Sequence, residues 1–360
     1  VTERLGATLL RAGAAAWGVT TAQPFTDVAA DLHARQADGW HADLTFTYLD
    51  PDVATDVRRS LPWAVSLLVV AWPYLPAAGE PGPPQAGTGR IARFATEDHY
   101  TGLRNVLDRA ANLLRADGWS AETLSDDNRL VDRAAAVRAG VGWWGKNAMV
   151  LTPKHGPWLL IGSIVTDAAL DVSQPMRRDC GTCDACRPAC PTGALVAPGV
   201  LDARLCLARW LQAKGVIPRH LRRAVGDRVY GCDDCLDACP PGKQLAATAV
   251  EIHGRIDLVA VLHASDDELL DRYDHFYVPR RNPNIIRRNA LVALGNSGGP
   301  DAVATLELYL AHPSPVLRAH AVWALGALGS TEALRAVAAM APSERDEVVR
   351  AEVRLVTGSA

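Results

Sequence analysis

No apolar run in this chain is long enough to cross a bilayer. The longest, Leu61 to Tyr74 (LPWAVSLLVVAWPY), is broken by Pro62 and Pro73 and falls short of the roughly 20 residues a transmembrane helix needs. It predicts a buried strand instead. The first residues, VTERLGATLLRAG, lack the basic start and uninterrupted apolar core of a secretory leader, which points to the cytoplasm and to reduced cysteines. A basic excess is missing too. With a formal net charge of -3, any contact with a polyanion must come from a local basic patch. Metal-ligand spacing among the histidines is likewise absent: His41, His99 and His155 stand apart. What remains is a chain of 360 residues, 49% of them apolar, enough for a large core and two or three domains.

Against these absences stand eight cysteines in an ordered pattern. Cys180, Cys183, Cys186 and Cys190 follow Cys-x2-Cys-x2-Cys-x3-Cys-Pro, and Cys206 is followed by Cys232-x2-Cys235-x3-Cys239-Pro. Three thiolates on one tight loop suit three corners of a cubane, while the cysteine before the proline serves the other cluster. The pattern therefore assigns Cys180, Cys183, Cys186 and Cys239 to one 4Fe-4S cluster, and Cys190, Cys206, Cys232 and Cys235 to a second. Structural zinc ribbons are the bland alternative. Zinc gives no reason for three closely spaced cysteines followed by Cys-Pro, nor for Pro191 being matched by Pro240.

Residues before about Asp167 alternate helical and strand-like segments, which predicts an α/β or α+β domain. The Pro/Gly-rich run Ala77 to Gly89 must be a loop. Tyr100 to Asp117 carries Leu103, Val106, Leu107, Ala110, Leu113 and Leu114 on one helical face, with Gly118 to stop it. Met149 to Thr152, the turn-rich PKHGP and Trp158 to Thr166 read as a β-hairpin. Glu251 to Tyr277 reads as an acidic-aromatic connector. Beyond it, RNALVALG (Arg288 to Gly295) recurs as RAHAVWALG (Arg318 to Gly326) and more faintly from Arg350, as in stacked helical hairpins.

Gly140-Val-Gly142-Trp-Trp-Gly145 satisfies G-x-G-x-x-G, but a helical segment precedes it and a strand-like one follows, the reverse of a dinucleotide site. Its glycines suggest a tight turn and close backbone approach to a large planar ligand, with one of Trp143 and Trp144 in the core. Asp126 and Asp127 precede a helix, where capping is the ordinary role. Basic residues gather at Arg219 to Arg223 and Arg280 to Arg288, suited either to phosphate or to plain solvated surface.

Taken together, RIARFATEDHY (Arg90 to Tyr100), Asp126 to Arg133, AGVGWWGKN (Ala139 to Asn147), the cysteine span and IIRRNALVALGN resemble the epoxyqueuosine reductase family over nearly the whole chain. The resemblance implies an α+β multidomain protein: a cobalamin-binding α/β domain (1-168), a ferredoxin-like two-cluster iron-sulfur domain (169-248), then a connector and C-terminal HEAT-like helical repeats (249-360). It implies reduction of epoxyqueuosine to queuosine at the tRNA wobble position by a cytoplasmic, non-membrane monomer that draws on a low-potential electron donor. Asp126 takes the place of the proton donor. Arg58 (or Arg59), Val150, Ile161 and Ala208 fall where the family contacts cobalamin. Lys214, Arg287, Arg288 and Arg318 fall where the tRNA anticodon stem-loop is held. Three departures stand out: Asp98-His99-Tyr100 for Asp-Tyr-His, Pro-Pro-Gly-Lys after Cys239 for Pro-Trp-Asn, and Asp127-Asn128 for small residues after the aspartate. The rival readings are a cobalamin-dependent reductive dehalogenase of small molecules and a cobalamin-free electron-transfer or tRNA-binding protein.

Overall fold

The computed structural model describes residues 1–74, 85–246 and 254–358. The chain divides into two compact units, one built from residues 1–79, 97–204 and 234–250, the other from 80–96, 205–233 and 251–360. The segment 169–248, expected to be one ferredoxin-like domain, is thus shared between them. Among the described residues no helix is long and apolar enough to cross a membrane.

The first unit is organised by a four-stranded sheet in the order Ala16–Thr21, Ser66–Pro73, Leu159–Thr166, Ala121–Ser125, antiparallel at every pairing. Of the two fold readings, this is the α+β one. The run LLVVA (Leu67 to Ala71) is wholly buried because both faces of its strand are covered. One face carries the helix His99–Ala116, whose Leu103, Val106, Leu107, Ala110 and Leu114 are buried as the periodicity requires. Asp98 caps it by accepting the Thr101 N–H at 3.0 Å, and Gly118 (φ 89°) follows its end. A Cβ on Gly162 would lie 2.6 Å from Leu107 Cδ1, so the bare glycine lets this helix close onto the sheet. The other face packs Val57, Leu124, Leu130, Val131, Ala134 to Ala136, Val150 and Val165 into one apolar cluster.

The expected hairpin between Met149 and Thr166 does not form as such. Val150–Leu151 pairs with Trp143–Trp144, Thr152 and Gly156 share a single bridge, and Leu159–Thr166 is taken up as an inner strand of the main sheet. A long apolar strand gains more by burial between two partners than by pairing locally.

The second unit joins a small sheet to stacked helices. Thr88–Ile91 pairs in parallel with Arg228–Tyr230 and antiparallel with Arg255–Asp257. Buried Asp227 accepts from Arg90 Nε (2.8 Å) and from Arg255 (3.1 Å), tying all three strands. Of the expected Ala77–Gly89 loop, residues 77–84 lie outside the described residues, and Thr88 and Gly89 are already strand. The expected connector is itself folded: helices Leu258–His263 and Asp266–Arg272 follow, and Phe276 stacks on Tyr230 and Tyr273. The repeats are the helices Asn284–Ser297, Ala302–Leu308, Pro315–Leu328, Thr331–Met340 and Glu347–Thr357. Their recurring Ala-Leu-Gly has a packing cause. A Cβ on Gly295 would lie 2.7 Å from Ala324 Cα, and one on Gly326 would lie 2.6 Å from Val356 Cγ2, so each glycine admits the next helix.

Arg318 and Glu344 form a two-pronged ion pair (2.7 and 2.9 Å), and that hydrogen bonding holds the Glu344 carboxyl down to about 2. The folded pKa is below the unfolded one, so the stabilisation is complete above pH ~4.3 and lost as pH falls toward about 2. Glu344→Gln should remove about 1–2 kcal/mol at neutral pH and flatten the acid limb of the unfolding free energy over that window. Denaturant titrations at several pH values check this; an unchanged acid limb refutes it.

Candidate functional site

Four thiols converge in the first unit. Cys180, Cys183, Cys186 and Cys239 line one cavity together with Lys146, Asn147, Leu151 and Pro240. The near three come from a tight loop: Cys183 N–H donates to the Cys180 carbonyl (3.0 Å), Gly181 sits at φ 51° with its N–H on Asp179 Oδ1 (2.7 Å), and Cys186 opens the short helix Cys186–Ala189. Cys239 arrives from far along the chain at the junction of the helices Asp234–Asp237 and Pro240–Ala246. An anchor in the main sheet's own lead-in sets its place. Trp158, wholly buried just before Leu159–Thr166, donates its indole N–H to the Gly242 carbonyl at 3.0 Å. A Cβ on Gly242 would lie 2.8 Å from the Leu236 carbonyl and 3.0 Å from Pro157, so the Pro-Pro-Gly-Lys departure supplies the glycine this approach needs.

Cys190 is not in that lining; its Sγ accepts the Ala194 N–H at 3.2 Å. Cys190 and Cys235 belong to the first unit and Cys206 and Cys232 to the second. No disulfide joins any of the eight. Burial pushes the Cys239 thiol up to about 11 and raises Cys186 as well, with the neighbouring thiols adding to both. Binding iron deprotonates such thiols, and the cation offsets the cost that burial puts on Cys186 and Cys239. Among the described residues no three His, Cys, Asp or Glu side chains are placed to share a single metal ion.

The turn Gly140 to Gly145 lies beside this cavity, and its glycines serve the chain's own backbone. A Cβ on Gly140 (φ 70°) would lie 2.2 Å from the Gln174 carbonyl, and one on Gly142 would lie 2.2 Å from that of Leu151. The expected close approach to a planar ligand is therefore corrected at these positions. Trp143 is 4% exposed and belongs to the core with Leu151 and Cys239, whereas Trp144 is 42% exposed. Lys146 and Asn147 sit among the thiols, a placement sequence reasoning missed: the motif was visible, but nothing in its spacing relates it to Cys180.

Asp126 follows the strand Ala121–Ser125 at φ 55°, a left-handed conformation uncommon for a residue with a side chain. It is not a cap. The helix Asp132–Arg138 begins after Val131 with no side-chain cap, so the capping reading fails for Asp126 and Asp127 alike. Asp127 instead holds Arg129 by two contacts (2.9 and 2.7 Å), and this hydrogen bonding lowers its pKa. Asp126 goes the other way. Although its edge meets solvent, the surrounding protein raises its pKa, against the pull of Arg133 and Arg104. Asp132 is raised further, by burial first and by Asp126 second. Ser125 Oγ and Asp132 Oδ1 are buried without a hydrogen-bond partner.

The remaining expected residues divide. Val150 and Ile161 join the apolar cluster of Leu124, Leu130 and Val131, as does Val57, the neighbour of Arg58; Arg58 itself pairs with Asp56 (3.3 Å). Ala208 lies in the second unit on the helix Leu207–Gln212. Arg288 is corrected outright as a tRNA contact: it is 1% exposed and spends its guanidinium on the carbonyls of Trp210, Ala213 and Gly215 and on Asn289 Oδ1. Two of those carbonyls flank exposed Lys214, so Arg288 shapes the loop that presents it. Arg287 is buried against Asp266 and the Ala264 carbonyl, and Arg318 is committed to Glu344, so neither offers a free phosphate fork.

The partition of ligands is testable. Cys239→Ala should lower iron per chain by roughly half and remove one of two cluster EPR signals, while Cys190→Ala removes the other. Loss of the same signal in both variants contradicts the partition.

Comparison with known proteins places these features. Residues 179–242 match the 4Fe-4S double cluster binding domain family, and residues 280–356 match HEAT repeats. The epoxyqueuosine reductase of Bacillus subtilis (strain 168) is 31% identical over 354 residues, covering 93% of this chain and 90% of the relative. A crystal structure of epoxyqueuosine reductase with an epoxyqueuosine-modified tRNA-Tyr stem loop superposes with a TM-score of 0.90 at 29% identity, covering 99% of this chain and 97% of that one. A Bacillus subtilis structure described with its catalytic aspartate loop swung out of the active site gives 0.89 at 29% identity, covering 99% and 98%. The chain belongs to the epoxyqueuosine reductase family.

Proposed function

We propose that this chain reduces epoxyqueuosine in tRNA to queuosine, with electrons passing through two 4Fe-4S clusters to a cobalamin held by the first unit and with Asp126 supplying a proton. Opening the epoxide to the alkene consumes two electrons and two protons and releases the oxygen as water. When bound, cobalamin supplies the low-potential nucleophile that such a deoxygenation requires; the protein binds it, orients it and keeps competing reactions out. The residues present suit that group. Ile161 and Ser163 share the sheet face that carries the Val150 cluster, and Ser163 Oγ and Asp132 Oδ1 are buried polar atoms still lacking a partner.

The observation that carries the reading is the contrast between adjacent carboxyls. Asp127 is held ionised by Arg129, while Asp126, although exposed, is shifted toward the neutral acid by desolvation from the protein packed around it. Neighbouring carboxyls driven apart in this way mark an acid and a spectator, and a family member's catalytic loop carries an aspartate too. Asp126 then holds the proton that the opening epoxide oxygen takes up. Its left-handed backbone is uncommon for a residue with a side chain and sets it apart from an ordinary cap position. The target base stands in a tRNA loop, where it is unstacked at small cost.

Asp126→Asn should lower turnover of epoxyqueuosine tRNA by about 10²-fold or more while iron and cobalamin per chain stay at wild-type levels. In the wild type, the rate should fall as pH rises past the elevated pKa of Asp126, because the acid form is lost. Single-turnover assays with nucleoside mass spectrometry read both; turnover retained in the variant removes Asp126 from the reaction.

A further inference from the structure

Asn147 is 4% exposed and lines the cavity of Cys180, Cys183, Cys186 and Cys239. Its amide is oriented without ambiguity. The Met149 backbone N–H, which can only donate, lies 3.1 Å from one end, so that end is the oxygen. The other end, Nδ2, is buried and has no hydrogen-bond partner in the protein. Gly145 makes room for this arrangement: a Cβ there would lie 2.3 Å from Asn147 Oδ1 and 2.1 Å from Leu151 Cδ1. Beside it, Lys146 Nζ donates to the Gly181 carbonyl at 2.9 Å and so steadies the loop that carries Cys180 and Cys183. A buried NH2 group with no partner, on a residue that lines a cavity of thiols, is costly when that cavity holds no acceptor and is satisfied when acceptor sulfurs of a cluster occupy it.

We propose that Asn147 Nδ2 donates a hydrogen bond to a sulfur of the cluster held by Cys180, Cys183, Cys186 and Cys239, and thereby raises that cluster's reduction potential. The proposal rests on the iron-sulfur reading of those cysteines and needs neither cobalamin nor tRNA. One-electron reduction adds negative charge that spreads onto the sulfurs, and a fixed N–H dipole favours the more negative state. Because Asn147 Nδ2 is itself buried, that preference is larger than it would be at the surface.

The test is an EPR-monitored redox titration of the full chain with both clusters reconstituted anaerobically. Asn147→Ala should lower the reduced-to-oxidised ratio of one cluster about tenfold at a given potential, which for a one-electron couple is about 59 mV. The second cluster, with ligands elsewhere, serves as the internal control and should not move. Asn147→Asp keeps an oxygen facing Met149 N–H and so guards against collapse of the turn; ionised, it should lower the same potential further. Unchanged midpoints in both variants at full iron loading overturn the proposal. A chain that takes up no iron overturns the cluster reading beneath it, an outcome distinct from failure to act on tRNA.

Discussion

Four thiols drawn to one cavity are the constraint on which the first unit depends. Burial raises the thiols of Cys186 and Cys239, and iron bound in this arrangement would offset the cost of ionising them. Holding it demands a rigid frame, and the frame is the main sheet. Pro157 and Trp158 lead directly into the inner strand Leu159–Thr166, and the Trp158 indole fixes the Gly242 carbonyl of the helix behind Cys239. The turn from Gly140 to Asn147 supplies another part of the cavity lining, and its glycines admit close approach of both backbone and side chains.

The same unit sorts its charges near Asp126 with comparable economy. Arg129 is claimed by Asp127 and by Glu122 (2.6 Å), which leaves Asp126 with only the longer-range pull of Arg133 and Arg104. Desolvation by the surrounding protein outweighs that attraction although Asp126 is exposed, and the two adjacent aspartates shift in opposite directions. In the second unit arginines serve another purpose. Arg288 and Asn289 reach back to the carbonyls of Trp210, Leu211, Ala213, Gly215 and Val229, so a segment lying between the cysteine groups in sequence folds as part of the helical core. Buried donors with fully used hydrogen bonds give that join its specificity.

The parts legible in the sequence were those governed by local rules. Cysteine spacing separated Cys190 from its three neighbours, and the cavity lining leaves Cys190 out. Helical periodicity located His99–Ala116 to within a residue, and the recurring Ala-Leu-Gly located the stacked helices. What escaped was set by distant partners. The strand after PKHGP paired with the main sheet rather than with its near neighbour, because only the whole sheet could bury both of its faces. Arg287 and Arg288 looked like a phosphate patch, since a basic pair carries no mark of the carbonyls it will meet. Asp126 looked like a cap because its left-handed backbone conformation is not written in residue type. Asn147 was seen only as part of a motif, and its place among the thiols comes from the folding of loops well separated in sequence.

On this reading the thiol-lined cavity and Asp126 serve one deoxygenation of a modified base. The most direct test is an anaerobic reaction of the iron-reconstituted chain with epoxyqueuosine-containing tRNA and a low-potential reductant, with and without cobalamin, followed by nucleoside mass spectrometry. The account predicts loss of the mass of one oxygen from the modified nucleoside, only when cobalamin is present. No conversion by a protein that has bound both clusters and cobalamin would contradict it.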